Sequence, residues 1–182
     1  MNAIDCIRGR RSVREYTDQD ISTETIREII ETTSFAPSWA NTQTVSYVAV
    51  KNQELKEKIG DSGVMGFTPN MHRVIDCNTL VAVLTKKGIC GYNNDGTATT
   101  SKGAHWESFD AGIATQTLCL AAHEQNIGSV ILGIYDEESV AQILGINTDI
   151  YGISALVALG YTSTSPRTPK RRSVDELLTI VE

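Results

Sequence analysis

The chain has 182 residues, 41% of them hydrophobic and 21% charged, a balance that suits one ordinary globular domain over residues 1–182 and excludes a disordered or fibrous chain. Its formal net charge of −6 excludes nucleic acid as a general partner, because a polyanion is held by surplus cations. No apolar run reaches the roughly 20 residues that cross a bilayer, and the opening MNAIDCIRGRR lacks the apolar stretch of a secretory leader, so a cytoplasmic protein with no membrane partner is expected.

Asn2 is placed to cap a first helix carrying Ile4 and Ile7 and ending at Gly9. RRSVREYT then suits an extended segment in which Arg10 and Ser12 point the same way, a plausible grip for phosphate. Ser22 caps a second helix with Ile26, Ile29, Ile30 and Thr33 at helical spacing, stopped by Pro37. The polar, turn-rich piece APSWANTQ leads into a strand over 45–50 and reads equally as a binding loop or a plain connection. Asn52 opens a short helix with Leu55 and Ile59, and the Gly-rich piece DSGVMGFTP leads to Asn70, His72 and Arg73. A buried strand is expected over 79–85, then a long Gly/Asn/Thr-rich loop over 86–103 of the kind that forms lids.

The stretch ESFDAGIATQTLCLAAHEQNIGSVILGIY organises the chain. Between Ala111 and Ala122 it carries no charge, so it reads as a core or interface helix, with Gly128 as its left-handed terminator and 129–134 as a buried strand. Gly133, near that strand's end, marks a place where backbone can come close to a ligand. Asp136 and Gly145 bracket a further helix, 151–161 reads as another buried strand, and the tail closes with Leu177, Leu178, Ile180 and Val181, which need a partner to cover them. About four strands and five helices in mixed order make an α+β domain with a helix-covered sheet.

Of the 16 Lys and Arg, eight sit in two patches: Arg8, Arg10, Arg11 and Arg14 near the start, and Arg167, Lys170, Arg171 and Arg172 near the end. In an acidic protein that concentration suits a compact anion, although solvated surface charge accounts for either patch alone. The four cysteines have no metal-ligand spacing and read as buried free thiols, and the three histidines form no metal set. There is no Gly-x-Gly-x-x-Gly after a strand, no Walker lysine loop, no His-Glu-x-x-His and no Gly-x-Ser-x-Gly. An enzyme built from these residues has to borrow its chemistry from a cofactor.

Five segments, RRSVREY, APSWANTQ, DAGIATQTLCLAAHEQNIGS, LVALGY and PKRRS, stand in an order and spacing that resemble the FMN-dependent nitroreductases over essentially the whole chain. The resemblance implies a mainly antiparallel mixed sheet covered by helices. It also implies a homodimer with FMN at the subunit interface, terminal segments exchanged between subunits, and NADH or NADPH as electron donor. By position, Arg10, Arg11 and Ser12 match the phosphate and ribityl contacts, and Lys170 and Arg172 the far-end phosphate cations. Arg14, Arg73 and Asn70 match the groups at the pyrimidine edge. Pro37, Ser38, Trp39 and Asn41 match the loop that approaches the ring from the other subunit. Ile131, Leu132 and Gly133 match the strand end whose backbone N–H faces flavin N5, with Gly133, Arg14 and Arg73 as tuning groups and no side-chain nucleophile. The loop departs from the family at Thr44 and Val45, and the strand end at Ile134.

The activity so implied is reduction of nitroaromatics, quinones or related small electron acceptors. Neighbouring readings are a flavin, enone or dehalogenating reductase on the same site, and a flavin-storing or flavin-sensing protein without turnover. A structural dimer with surface basic patches would be colourless.

Overall fold

A computed structural model describes residues Met1–Glu182. Its elements in chain order are α1 (Ala3–Gly9), α2 (Thr23–Thr33), a 3-10 turn (Trp39–Asn41), β1 (Val45–Val50), α3 (Gln53–Ser62), α4 (Thr68–Asp76), β2 (Thr79–Lys86), α5 (His105–Glu124), β3 (Gly128–Leu132), α6 (Glu137–Leu144) and β4 (Tyr151–Gly160). The expected caps close the expected helices: Asn2, Ser22, Asn52 and Asp136 each accept a backbone N–H from the first turn that follows. Gly145 ends α6 at φ 67°, in the left-handed region where glycine bears no Cβ penalty.

The four strands form one sheet in the order β1-β2-β4-β3, and every strand pair is antiparallel. The mixed character expected of the sheet reduces to a single parallel bridge between Ser12 and Ser129, supported by a Val13 N–H to Ser129 O bond of 2.9 Å. The central strands β2 and β4 are buried on both faces, which is why they read as unbroken apolar runs. On one face Leu80, Ala82, Leu84, Leu156 and Ala158 pack with Ile59, Val74 and Val140 from α3, α4 and α6. On the other, Val81, Val83, Val157 and Leu159 pack with Ile26, Ile29, Leu118, Cys119 and Ala122 from α2 and α5. The result is a three-layer sandwich of helices, sheet and helices.

Helix α5 runs 20 residues and buries Asp110, Ala111, Ala114, Leu118 and Ala122 on its sheet side. Phe109 lies 55% exposed on its outer side, where Ile4 and Ile7 of α1 are exposed too. No helix is long and apolar enough to cross a membrane. All four cysteines are buried and free.

Three local expectations change. Gly128 does not terminate α5: Asn126 adopts the left-handed conformation at φ 60°, and the Ile127 N–H reaches back to Ala122 O at 2.9 Å. Gly128 instead begins β3, and it must lack a side chain because a Cβ there would lie 2.6 Å from Cγ2 of Val13. Residues 68–76, read only as the end of a Gly-rich piece, form α4; Phe67 offers no capping side chain, but a proline sits in the first turn, where its missing N–H costs nothing. The 86–103 segment is folded upon itself, with a Tyr92–Ala98 bridge and the Trp106 indole N–H on Thr100 Oγ1 at 2.8 Å. Beyond β4 the tail carries no regular element, and Leu177, Ile180 and Val181 are exposed.

Candidate active site

The parallel bridge carries the segment after α1 along the edge of β3, and there a cleft of about 380 Å³ opens. It is lined by Arg10, Arg11, Ser12 and Arg14 from that segment and by Arg167, Pro169 and Arg171 from the tail. Five guanidiniums share it without a carboxylate. The molecule's only ion pairs are Met1 with Glu124 and Lys51 with Asp20, both elsewhere. Arg11 and Arg14 donate instead to backbone carbonyls of Arg8, Arg10 and Ser12, and Arg171 to that of Pro169. Such bonds orient the forks and leave their charge unneutralised, so the cleft is a ready anion site. The two basic patches do converge, but the tail residues in the cleft are Arg167 and Arg171. Of the pair matched by resemblance, Arg172 turns to the carbonyl of Glu176, and Lys170 does not line the cleft.

His123 borders the same region. Burial, followed by the charges of Arg10 and Arg11, holds its imidazole below the ordinary value of 6.5. Its Nε2, the Nε of Arg10 and the Ser129 hydroxyl are buried without partners. A side chain at Gly9 would meet that Nε2 at 3.0 Å, which accounts for glycine there.

Farther along β3 the backbone lies open. Leu132 is buried, Ile131 and Ile134 are exposed, and a Cβ at Gly133 would meet nothing within 4 Å. The Gly133 N–H makes no hydrogen bond within the chain. Beside this strand end, buried Asn70 donates to Ile134 O at 3.0 Å and accepts from Arg73 Nη1 at 2.8 Å. Asn70 thereby fixes both the strand end and a guanidinium. Desolvation and the neighbouring charge of Arg14 hold the Arg73 pKa below its ordinary value, as for two cations sharing one pocket with no counter-ion.

Pro37, Ser38, Trp39 and Asn41 lie elsewhere. Their loop leads into β1, at the opposite edge of the sheet from β3. The Trp39 ring packs on Trp106 of α5 at 4.6 Å between centroids, Trp106 meets Phe109 at 5.4 Å, and Lys102 stands 4.5 Å over Trp106. One chain therefore assembles Arg10, Arg11, Ser12, Arg14, Asn70, Arg73 and the Ile131–Gly133 strand end, and it keeps the aromatic loop apart from them.

The residues present fit FMN. A carboxylate-free arginine cleft matches a phosphomonoester, and an exposed glycine with a free N–H, with the exposed Ile131 and Ile134 nearby on the strand end, matches the edge of a flat heteroaromatic ring. From Ser129 to Gly133 the strand advances roughly 13 Å, a length that a ribityl phosphate and a tricyclic ring together span. The sequence model of the nitroreductase family matches residues 7–71 and 69–161. The chain belongs to the nitroreductase family.

Relatives extend the match beyond the family model. An Archaeoglobus fulgidus protein, provisionally named NADH dehydrogenase/NAD(P)H nitroreductase, is 31% identical over 157 residues, covering 84% of this chain and 80% of that protein. The FMN reductase [NAD(P)H] of Bacillus subtilis is 26% identical over 92% of this chain and 70% of its own length. A provisionally named nitroreductase of Exiguobacterium sibiricum, solved in complex with FMN, shares the fold at a TM-score of 0.82 and 20% identity, over 100% of this chain and 98% of that one. In this nitroreductase fold the sequence picked out most cleft and strand-end residues. It had Arg167 and Arg171 only as members of a basic patch and missed the place of His123 and the contacts that hold the aromatic loop, because each depends on which segments meet.

Proposed function

We propose that the chain is an FMN-dependent NAD(P)H oxidoreductase that acts as a homodimer and reduces nitroaromatics, quinones or related small electron acceptors. The observation that carries this reading is a carboxylate-free arginine cleft at the start of β3 together with the free N–H of Gly133 just past its end. FMN, when bound, supplies the redox chemistry, taking hydride from NADH or NADPH and handing it to the acceptor.

The chain supplies position and field. Arg10, Arg11 and Ser12, with Arg167 and Arg171, hold the phosphate; Lys170 and Arg172, matched to it by resemblance, stand close by in sequence on the same tail. Arg14 and Arg73 place two cations where negative charge gathers at the pyrimidine edge, with Asn70 fixing Arg73. The Gly133 N–H would be free to donate to the flavin ring near N5, and Ile131 and Leu132 supply the strand that carries it. Pro37, Ser38, Trp39 and Asn41 sit at the far edge of the sheet, so they complete the site of a partner subunit, and the tail's Leu177 to Val181 gain cover by reaching across that partner. The outer side of α5 around Phe109, with Ile4 and Ile7, suits the apolar centre of such an interface.

The test is the visible spectrum of the purified protein, followed anaerobically as NADH or NADPH is added. A flavin band that bleaches and returns with a nitroaromatic or quinone is the expected result. A yellow protein that does not bleach supports storage or sensing, and a colourless one that cannot be loaded with FMN overturns the reading.

A further inference from the structure

The loop at the β1 edge is unusual in what holds it. Ala40, Asn41 and Gln43 all lie in the left-handed region, at φ 44°, 56° and 48°, although none is glycine. Such conformations persist only where the surroundings impose them. Most of the loop's hydrogen bonds are internal: Asn41 N–H to Ser38 O at 3.0 Å, Thr42 N–H to Trp39 O at 2.8 Å, and Gln43 N–H to Ser38 Oγ at 3.0 Å. One bond ties residues 37–43 to the body of the molecule, the Trp39 N–H to Asp110 Oδ2 at 2.8 Å.

Asp110 is 2% exposed and forms no ion pair. A buried carboxylate is tolerated only where donors replace its lost hydration. Its Oδ2 takes a second donor, the thiol of the fully buried Cys90, at 3.0 Å. Cys90 belongs to the folded segment after β2, whose Thr100 accepts from the indole N–H of Trp106, the α5 residue that packs on Trp39. One carboxylate oxygen thus joins α5, the aromatic loop and the segment after β2. Burial, and then the hydrogen bond to Asp110, pushes the Cys90 thiol up to about 12, so it stays protonated and serves as a donor.

We propose that Asp110 is a positioning residue of the active site, holding the Pro37–Asn41 loop in the conformation that meets the flavin and fastening the 87–104 segment to the same point through Cys90. The inference rests on the preceding reading that this loop contacts FMN. Its tests are chosen so that the two can fail separately.

Three readouts apply to Asp110→Ala and Asp110→Asn: the circular-dichroism couplet of the adjoining Trp39 and Trp106 indoles, whose planes are tilted by 48°, the rate at which a maleimide labels Cys90, and the Kd for FMN. Asp110→Ala should abolish the couplet, expose Cys90 and weaken FMN by about tenfold or more, the worth of one hydrogen bond to a charged group. Asp110→Asn should keep the couplet and stay within about threefold, since an amide oxygen accepts both bonds. A folded Asp110→Ala with native couplet, native thiol protection and native Kd overturns the proposal, as does Asp110→Asn matching Asp110→Ala. Should Asp110→Ala lack a cooperative thermal transition, the pair Trp39→Ala and Trp39→Pro isolates the bond, since only proline removes the N–H. Trp39→Pro should label faster at Cys90 and bind FMN about tenfold more weakly than Trp39→Ala, and equal behaviour overturns the proposal. A wild-type protein that binds no FMN sinks the preceding reading, while the couplet and labelling still decide what Asp110 holds.

Discussion

The two edges of the sheet are built in opposite ways. At the β3 edge five arginines converge with their charge unpaired, and the backbone of Gly133 is left open. At the β1 edge an aromatic loop is held in a left-handed conformation by internal turns, a tilted indole pair and one buried carboxylate. The first edge presents charge that no carboxylate of the chain neutralises, and the second a shape already satisfied within the protein. Variants at the β3 edge should therefore act mainly on the affinity for anions, and those at the β1 edge on geometry.

The largest expected effect is on the charged edge. Replacing Arg10 and Arg11 together with Ala removes two charge-assisted contacts at about 1.5–3 kcal/mol each and should weaken FMN at least a hundredfold, as read by quenching of flavin fluorescence. Trp39→Ala should cost only about tenfold in the same titration, and equal losses would erase the contrast. If the loop serves a partner subunit, mixing the two variants restores FMN binding, because each mixed dimer regains a site built from intact edges. Failure of exchanged mixtures to bind would place both edges in one site of one chain.

Next in size is the packing that sets Ser12 beside Ser129. Gly128→Ala puts a Cβ 2.6 Å from Cγ2 of Val13, an overpacking that should cost about 1–3 kcal/mol of stability in a denaturant melt. FMN affinity should fall with it, as the arginine segment lifts off β3.

Salt gives a smaller, graded effect. Raising ionic strength from about 0.01 to 1 M shortens the screening length from about 30 to 3 Å, so wild-type affinity for FMN should fall steadily. The slope should flatten in the Arg10/Arg11 double variant and remain in Trp39→Ala.

The smallest expected effect is at His123. Its folded pKa lies below the ordinary 6.5, because burial and the charges of Arg10 and Arg11 disfavour the imidazolium. The unfolded chain then binds the proton more readily than the folded one. This group's stability contribution is therefore present above about 6.5 and lost as pH falls through the folded pKa. His123→Asn should flatten the decline in flavin-free thermal stability between about pH 7 and 5.

Much of the fold was legible because local physics and tertiary packing agree over most of it. The caps at Asn2, Ser22, Asn52 and Asp136 each satisfy an N–H that the helix start leaves free, whatever surrounds them. The apolar runs of β2 and β4 are central strands because only a two-sided core can use them. Gly128 misled because two causes call for glycine, a left-handed turn and a close neighbour. Only the approach of Val13, distant in sequence, tells them apart. Asn126 took the turn because its short polar side chain tolerates positive φ. The start of α4 escaped notice because the Gly-rich letters before it masked Thr68 and Pro69, a usable start signal.

In the site, Arg10, Ser12, Asn70, Arg73 and Gly133 were legible from the order of motifs along the chain. Their roles need only neighbours along β3 and α4. Arg167 and Arg171 were legible as a basic patch but not as the members that face the cleft, since the tail has no regular element to set a phase. Nothing in the letters showed that Asp110 holds Trp39, beyond its standing at the N-terminal edge of the uncharged stretch 111–122.

The sequence by itself determined most of the elements, the buried character of the central strands, the absence of a side-chain nucleophile motif and the clustering of cations, because periodicity, capping and composition act over a few residues. Tertiary structure alone decided that the sheet is wholly antiparallel with β1 and β3 at its two edges, and that the cations form one carboxylate-free cleft. It also decided that a buried carboxylate fastens the aromatic loop far from that cleft. Those are facts of which distant segments touch, and long-range contact is set by how the whole core packs, a quantity that no short window of sequence contains.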